Sequence, residues 1–212
     1  MYAKNTRLAA RLLPLLATAY LACGQAATTP LIDKSLPINL DAQSSDFDYR
    51  NNLLRFHHVR ISQGATAVES DEATATGLSF DNSHWDFRGH VRITLADGAL
   101  LSDVAVVEFA HNAPNSAVIT GNPATFEQKR EQCVAKGHAG RINYDFTTQT
   151  IRLSEQASIS YGDGQINGRT LIYSIQEQRV LANPEDQDNQ RVHIVINPKD
   201  NPGSLPKLGC TR

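Results

Sequence analysis

A small residue, then a polar one, then apolar residues at alternate positions: this pattern recurs five times along the chain. It runs from Ala42-Gln43 to Phe47, from Ser70-Asp71 to Ala75, and through Ser102-Asp103-Val104-Ala105-Val106. It returns in Gly140-Arg141-Ile142-Asn143-Tyr144 and in Gly168-Arg169-Thr170-Leu171-Ile172-Tyr173. The small residues stand at 42, 70, 102, 140 and 168, a spacing of 28 to 38 residues. After most of them comes a second strand-like run that ends in glycine: Leu54 to Gly64, Trp85 to Gly98, Ile151 to Gly164. One repeat is therefore two strands and two turns. A unit of that size buries its apolar face only by stacking on its neighbours. The expected fold is all-β, a β-solenoid of stacked antiparallel strands open at both ends.

The alternation itself has period two. Trp85, Phe87, Val91, Ile93 and Leu95 share parity, as do Ile151, Leu153, Ala157, Ile159 and Tyr161, so each set lies on one face of a sheet. Only Glu69 to Ala75 is also compatible with a helix. Turns are signalled at Gln63-Gly64, Asp97-Gly98, Gly121-Asn122-Pro123 and Gly162-Asp163-Gly164. The phase of the alternation slips near His57-His58 and near Gly121-Asn122-Pro123. A one-residue slip turns every side chain over unless a bulge absorbs it, so bulges or bends are expected at both places. Glu127 to His138 is polar and basic and reads as a loop insertion, and Pro184 to Gln190 reads as an acidic turn.

Three segments follow. Residues 1–26 read as a signal peptide, with Lys4, Arg7 and Arg11 ahead of the apolar Leu12–Ala22 and small residues at Gly24 and Ala26. Residues 27–196 form one domain, and 197–212 are a Pro-rich C-terminal tail. Leu12–Ala22 is short for a membrane span, although a retained anchor is the other reading. A lipoprotein anchor at Cys23 is disfavoured, because Tyr20 stands where such a motif wants leucine. Loss of the leader would leave 17 basic against 22 acidic residues, which offers no basic footprint for nucleic acid. It would also leave Cys133 and Cys210 as an even pair. In an oxidising compartment that pair is expected to form a disulfide.

Catalytic and metal-binding patterns are weak. His57 and His58 are adjacent and point to opposite faces of a strand. His84 and His90 have no carboxylate or cysteine at ligand spacing along the sequence. Asp46 and Asp48 share a strand face, yet one pair in a terminal strand does not make a glycosidase cleft. No G-x-S-x-G, G-x-G-x-x-G or P-loop occurs. The chain is read as a non-enzyme with no cofactor and no metal site.

Thr120-Gly121-Asn122-Pro123-Ala124-Thr125-Phe126-Glu127-Gln128 resembles the signature stretch of the OstA-like family. Pro37-Ile38-Asn39-Leu40-Asp41-Ala42 is similar to that family's opening strand, and Phe87-Arg88-Gly89-His90-Val91-Arg92-Ile93 to its recurrent aromatic, glycine, valine pattern. Asn143-Tyr144-Asp145 and Leu171-Ile172-Tyr173 resemble its later repeats. The likeness spans about residues 37 to 196. It departs at His58, where the first repeat lacks the equivalent of Gly89, and at the Cys133 segment and the tail.

The resemblance implies a β-jellyroll that binds the lipid A part of lipopolysaccharide in the periplasm. It also implies head-to-tail assembly into a bridge between an inner-membrane export complex and an outer-membrane assembly complex. The residues add a candidate apolar groove for acyl chains: Leu54, Phe56, Val59, Ile61, Trp85, Phe87, Val91, Ile93, Phe126, Ile142, Tyr144, Leu153, Ile159, Tyr161 and Leu171. The same side chains could instead pack on each other as a dry core. Ile38 and Leu40 at one end, and Val192, Ile194 and Ile196 at the other, are candidate assembly edges. A membrane-anchored partner of the same system, or a β-helical envelope carbohydrate-active enzyme, are the alternatives.

Overall fold

The computed structural model describes residues 35–76, 81–130, 133–161, 164–184 and 191–196. The leader with Cys23, the tail with Cys210, Gly162-Asp163 and most of the acidic turn lie outside them. Eleven strands make one antiparallel sheet among the described residues. They are β1 (Asn39–Asp48), β2 (Leu53–Gln63), β3 (Thr66–Thr76), β4 (Ser83–Leu95), β5 (Gly98–Ala110) and β6 (Ala113–Arg130). Then come β7 (Cys133–Asp145), β8 (Thr150–Tyr161), β9 (Gly164–Ser174), β10 (Arg179–Ala182) and β11 (His193–Ile196). Spatial order follows chain order from β1 to β10, and β11 returns to pair with β9. The sheet never closes on itself, which leaves β1 at one end and β10 with β11 at the other.

From β3 to β9 each ladder breaks in the middle of its strands. Register shifts fall between Glu69 and Glu72, Arg88 and Val91, Leu101 and Val104, Thr120 and Ala124, His138 and Arg141, and Ser154 and Ala157. These positions are cross-strand neighbours, so the bulges form a continuous seam across the sheet. A bulge bends its strand and raises the local twist, and the seam folds the sheet into two facing walls. We call the wall that ends at the turns Gln63–Thr66 and Leu95–Gly98 and at the paired residues Tyr161 and Gly164 the upper wall. The wall ending at His111-Asn112, Phe146–Gln149 and Ile175–Gln178 is the lower wall.

The recurring small–polar pair marks this seam, in mid-strand, and not a strand start. Odd-numbered strands cross the seam with small residues. Ser70 Oγ donates to the Glu72 carbonyl at 2.7 Å, and Ser102 Oγ to the Val104 carbonyl at 3.1 Å. Each hydroxyl satisfies a carbonyl at the bulge. At Gly140 a β-carbon would sit 2.7 Å from a Glu155 carboxylate oxygen. Even-numbered strands cross with left-handed backbone: His58 (φ 47°), Gly89 (74°), His90 (45°), Glu155 (65°) and Gln156 (61°). In β6 the crossing is Gly121-Asn122-Pro123, with a cis Asn122–Pro123 peptide. Of the two expected irregularities, Gly121–Pro123 is a bulge with a register shift, whereas β2 keeps its register with both neighbours at His57-His58 and turns there through the left-handed His58.

Two segments differ from their sequence reading. Glu69 to Ala75 is strand. Its inward alanines are paired with large neighbours, Ala73 with Phe56 and Phe87, and Ala75 with Leu54 and Trp85. The apolar volume is supplied by β2 and β4, so β3 carries little of it in its own sequence. Glu127 to His138 is likewise no loop. β6 runs to Arg130 and β7 starts at Cys133. The inward positions of β7 there are Ala135, Gly137 and Ala139, too small to register as hydrophobic alternation.

Gly89 tests the seam. A β-carbon on it would lie 2.4 Å from Asp71 Oδ2, in a backbone conformation that side chains rarely adopt. Gly89→Ala should cost about 1–3 kcal/mol, read as a lowered urea midpoint with the slope unchanged. Adding Asp71→Ala should recover part of that loss.

Candidate functional site

Fourteen of the fifteen candidate groove residues are buried, and Tyr161 is packed partly buried against them. Trp85, Phe87, Ile142, Leu153 and Leu171 have no measurable exposure. The alternation was therefore read on the correct face, but the expected open trough is filled by the side chains of the two walls. The reason is volume. Phe47, Phe56, Trp85 and Phe87 form an aromatic ladder on the lower wall, with ring centroids 5.6–6.0 Å apart from one to the next. The upper wall adds Ile61, Val68, Val91, Ile93 and Leu100, all buried in the same core cluster. Phe126 of the upper wall stacks on Tyr173 of the lower at 6.1 Å.

Among the described residues, two side-chain hydrogen bonds link the lips of the walls. Gln63 Nε2 donates to the Asn112 carbonyl at 3.4 Å, and the Tyr161 hydroxyl to Gln178 Oε1 at 3.1 Å. A cavity of about 10 Å³, lined by Gln63, Thr66, Ile61, Val68, Phe109 and Pro114, lies where the lips meet near β2 and β5. A larger depression of about 960 Å³ lies against the upper wall, lined by outward residues such as Arg92, Leu101, Thr125, Lys136 and Ser160. Period-two reading assigned those residues to solvent and did not anticipate a concave outer surface. The twist of the sheet produces it.

Comparison with known proteins decides the family. A family model described as LptA/(LptD N-terminal domain) LPS transport protein matches residues 39–179, all but the edges of the sheet. The chain belongs to this LptA/LptD N-terminal family. Its relatives include the lipopolysaccharide export system protein LptA of Haemophilus influenzae, 26% identical over 66% of this chain and 87% of that protein. LptA of Escherichia coli K12 is 27% identical over 66% of this chain and 77% of that protein. LptH of Pseudomonas aeruginosa is 25% identical over 65% and 87%. The crystal structure of LptH, described as the LptA-homologous periplasmic component of the lipopolysaccharide transport device, superposes with a TM-score of 0.51 at 21% identity. It covers 78% of this chain and 99% of that one. That likeness supports the fold, a β-jellyroll of the LptA type.

In this LptA/LptD N-terminal family member the two sheet edges differ in burial. Ile38 and Leu40 are partly buried against the core, whereas Val192, Ile194 and Ile196 are exposed. β1 runs from the upper wall to the lower, Asn39 pairing with Ser62 and Asp48 with Leu53. β10 and β11 act as one interrupted strand of opposite direction. β10 covers the lower half of β9 and β11 the upper half, with the seam between them.

The histidines have partners that the linear sequence hides. His84 Nδ1 lies 2.6 Å from Glu108 and His84 Nε2 3.4 Å from Asp86. His90 Nδ1 lies 2.7 Å from Asp71. Asp46 pairs with Arg55, and Asp48 accepts from Asn51, so those carboxylates are held by cross-strand and turn contacts. The hydrogen bond to Glu108 raises the His84 pKa above its ordinary value, and the bond to Asp71 does the same for His90. A raised folded value means stabilisation that is full below the unfolded imidazole pKa and is lost as pH rises through the folded one. Thermal stability should therefore decline from about pH 6 to pH 8. His84→Gln should flatten that slope by no more than about 1 kcal/mol, the ceiling for exposed pairs.

Proposed function

We propose that this chain binds lipopolysaccharide in the periplasm and passes it toward the outer membrane by admitting its acyl chains between the two walls. The observation that carries this reading is the interior itself. It is one continuous apolar surface shared by two walls that are hinged along a seam and joined at the lips by sparse polar contacts. Parting the walls exchanges wall–wall contact for wall–acyl contact, which is close to neutral in hydrophobic free energy. The gain comes from the lipid. Each methylene withdrawn from water contributes about 0.8 kcal/mol, so a chain of about a dozen carbons contributes about 9 kcal/mol before ordering costs. The attraction is non-directional, so a chain can slide along the interior. The fifteen candidate groove residues are the contact surface in this reading. Transport of this kind involves no covalent chemistry.

The edges supply a route from copy to copy. β1 of a second chain laid beside β10 and β11 would continue the antiparallel ladder, since the strand directions are opposite. Its Gln43, the one position of β1 without a register partner in β2, would fall on the gap between β10 and β11. Such head-to-tail pairing would align the interiors of successive copies in a bridge, with the export and assembly complexes of the two membranes at its ends. In the same reading residues 1–26 are removed on export. Cys210 of the 197–212 tail is bonded to Cys133, three strand spacings or about 14 Å from the end of β11. Peptide mapping before and after reduction tests that bond through the joint mass of the two cysteine peptides.

The interior is tested in cells by a photo-crosslinking residue at Phe87 and, separately, at Ile159. Both positions should give lipopolysaccharide adducts on irradiation. A folded, exported protein that yields adducts at neither would remove the transport reading. The carbohydrate-active alternative predicts no such adducts.

A further inference from the structure

The inner surface of the upper wall carries two glutamines, Gln63 and Gln128, at the lip end of β2 and β6. Both are more than nine-tenths buried. Each amide is oriented by groups that can only accept. Gln128 Nε2 donates to Asp97 Oδ2 at 3.1 Å, and Gln63 Nε2 to the carbonyls of Leu36 at 3.0 Å and Asn112 at 3.4 Å. A carboxylate or a carbonyl beside the amide fixes which end is nitrogen. The Oε1 atom of each is thereby turned away and is buried without a hydrogen-bond partner. Thr66 accompanies the first, and Tyr144 shares Asp97 as a charged neighbour with the second. Thr66 Oγ1, across the turn from Gln63 and lining the same cavity, is buried and unpartnered. So is the Tyr144 hydroxyl on the facing wall, whose ionisation is opposed first by burial and then by the charge of Asp97.

We propose that these two places are polar stations inside the acyl-binding interior, and that they select acyl chains bearing a hydroxyl. The inference rests on the reading that acyl chains enter between the walls. An orphaned acceptor beside an orphaned hydroxyl is complemented by a group that both donates and accepts. A hydroxyl on an acyl chain does so: it donates to the glutamine oxygen and accepts from Tyr144 or Thr66. A plain methylene does neither and leaves both atoms unsatisfied, which is the costlier state. Water meets the same need, so a chain that displaces it without reproducing its bonds loses affinity. The stations are four strand spacings apart, about 19 Å along the stacking axis, and recur at equivalent places in the repeat. They would mark successive resting positions for a chain that otherwise slides.

The test uses the full exported chain and two probes that differ only in one group, myristate and hydroxymyristate. Each displaces a bound fluorescent fatty acid. The wild-type protein should bind the hydroxylated acid about tenfold more tightly, a difference of about 1.4 kcal/mol. The double variant Thr66→Val, Tyr144→Phe deletes both hydroxyls and leaves every described glutamine bond in place. It should keep its thermal stability and show less than a twofold preference, the ratio of the two affinities being the readout. Equal binding of the two acids by the wild type, or an undiminished preference in the double variant, would overturn the stations while leaving acyl binding intact. If neither acid displaces the probe, acyl binding and the stations fall together.

Discussion

The bend along the seam is what the rest of the molecule depends on. A flat antiparallel sheet of this length would leave one apolar face against water. The seam folds that face onto itself, so a single sheet supplies both walls of its own core. Two solutions are needed because neighbouring strands meet the bend from opposite directions. Small residues let one set pass close to its neighbours, and left-handed residues let the other turn. The carboxylates of Asp71 and Glu155 then sit over Gly89 and Gly140, which ties the two solutions together across the ladder.

A seam of this kind also sets how the walls respond to load. Backbone hydrogen bonds run across strands within each wall, and none of them has to break for the lips to separate. What separates is side-chain packing and a few lip contacts such as Gln63–Asn112 and Tyr161–Gln178. Interior packing is thus compatible with carrying lipid: a core that can exchange its own contacts for those of an acyl chain keeps its apolar surface dry in both states.

Much of this architecture can be read from residue order. Trp85, Phe87, Val91 and Ile93 announce their common face, and Gly121-Asn122-Pro123 announces the bend in β6. The fold class follows from those local periods. The closed interior does not, because Phe126 meets Tyr173 and Gln63 meets Asn112 through the folding of the sheet, at sequence separations that no local period encodes. The histidine pairs fail for the same reason. His84 lies 24 residues from Glu108 and His90 lies 19 from Asp71, and only the strand register brings them together. β3 and the start of β7 were obscure because their inward residues are small, their volume being supplied by the aromatic residues opposite.

The unpaired edges follow from the same geometry. Each repeat buries its apolar stripe against the next, so the first and last repeats must leave something undone. At the start, Ile38 and Leu40 are partly covered, while the outer edge of β1 pairs with no strand among the described residues. At the finish, the edge strand is split at the seam into β10 and β11, and Ile194 and Ile196 remain exposed. A continuous final strand would have to carry its own bend. The split one presents two short rails, one per wall, on either side of the seam. In the proposed assembly such an edge would take a strand that changes direction at the seam more readily than a straight one, and the strands of this fold are built to do so.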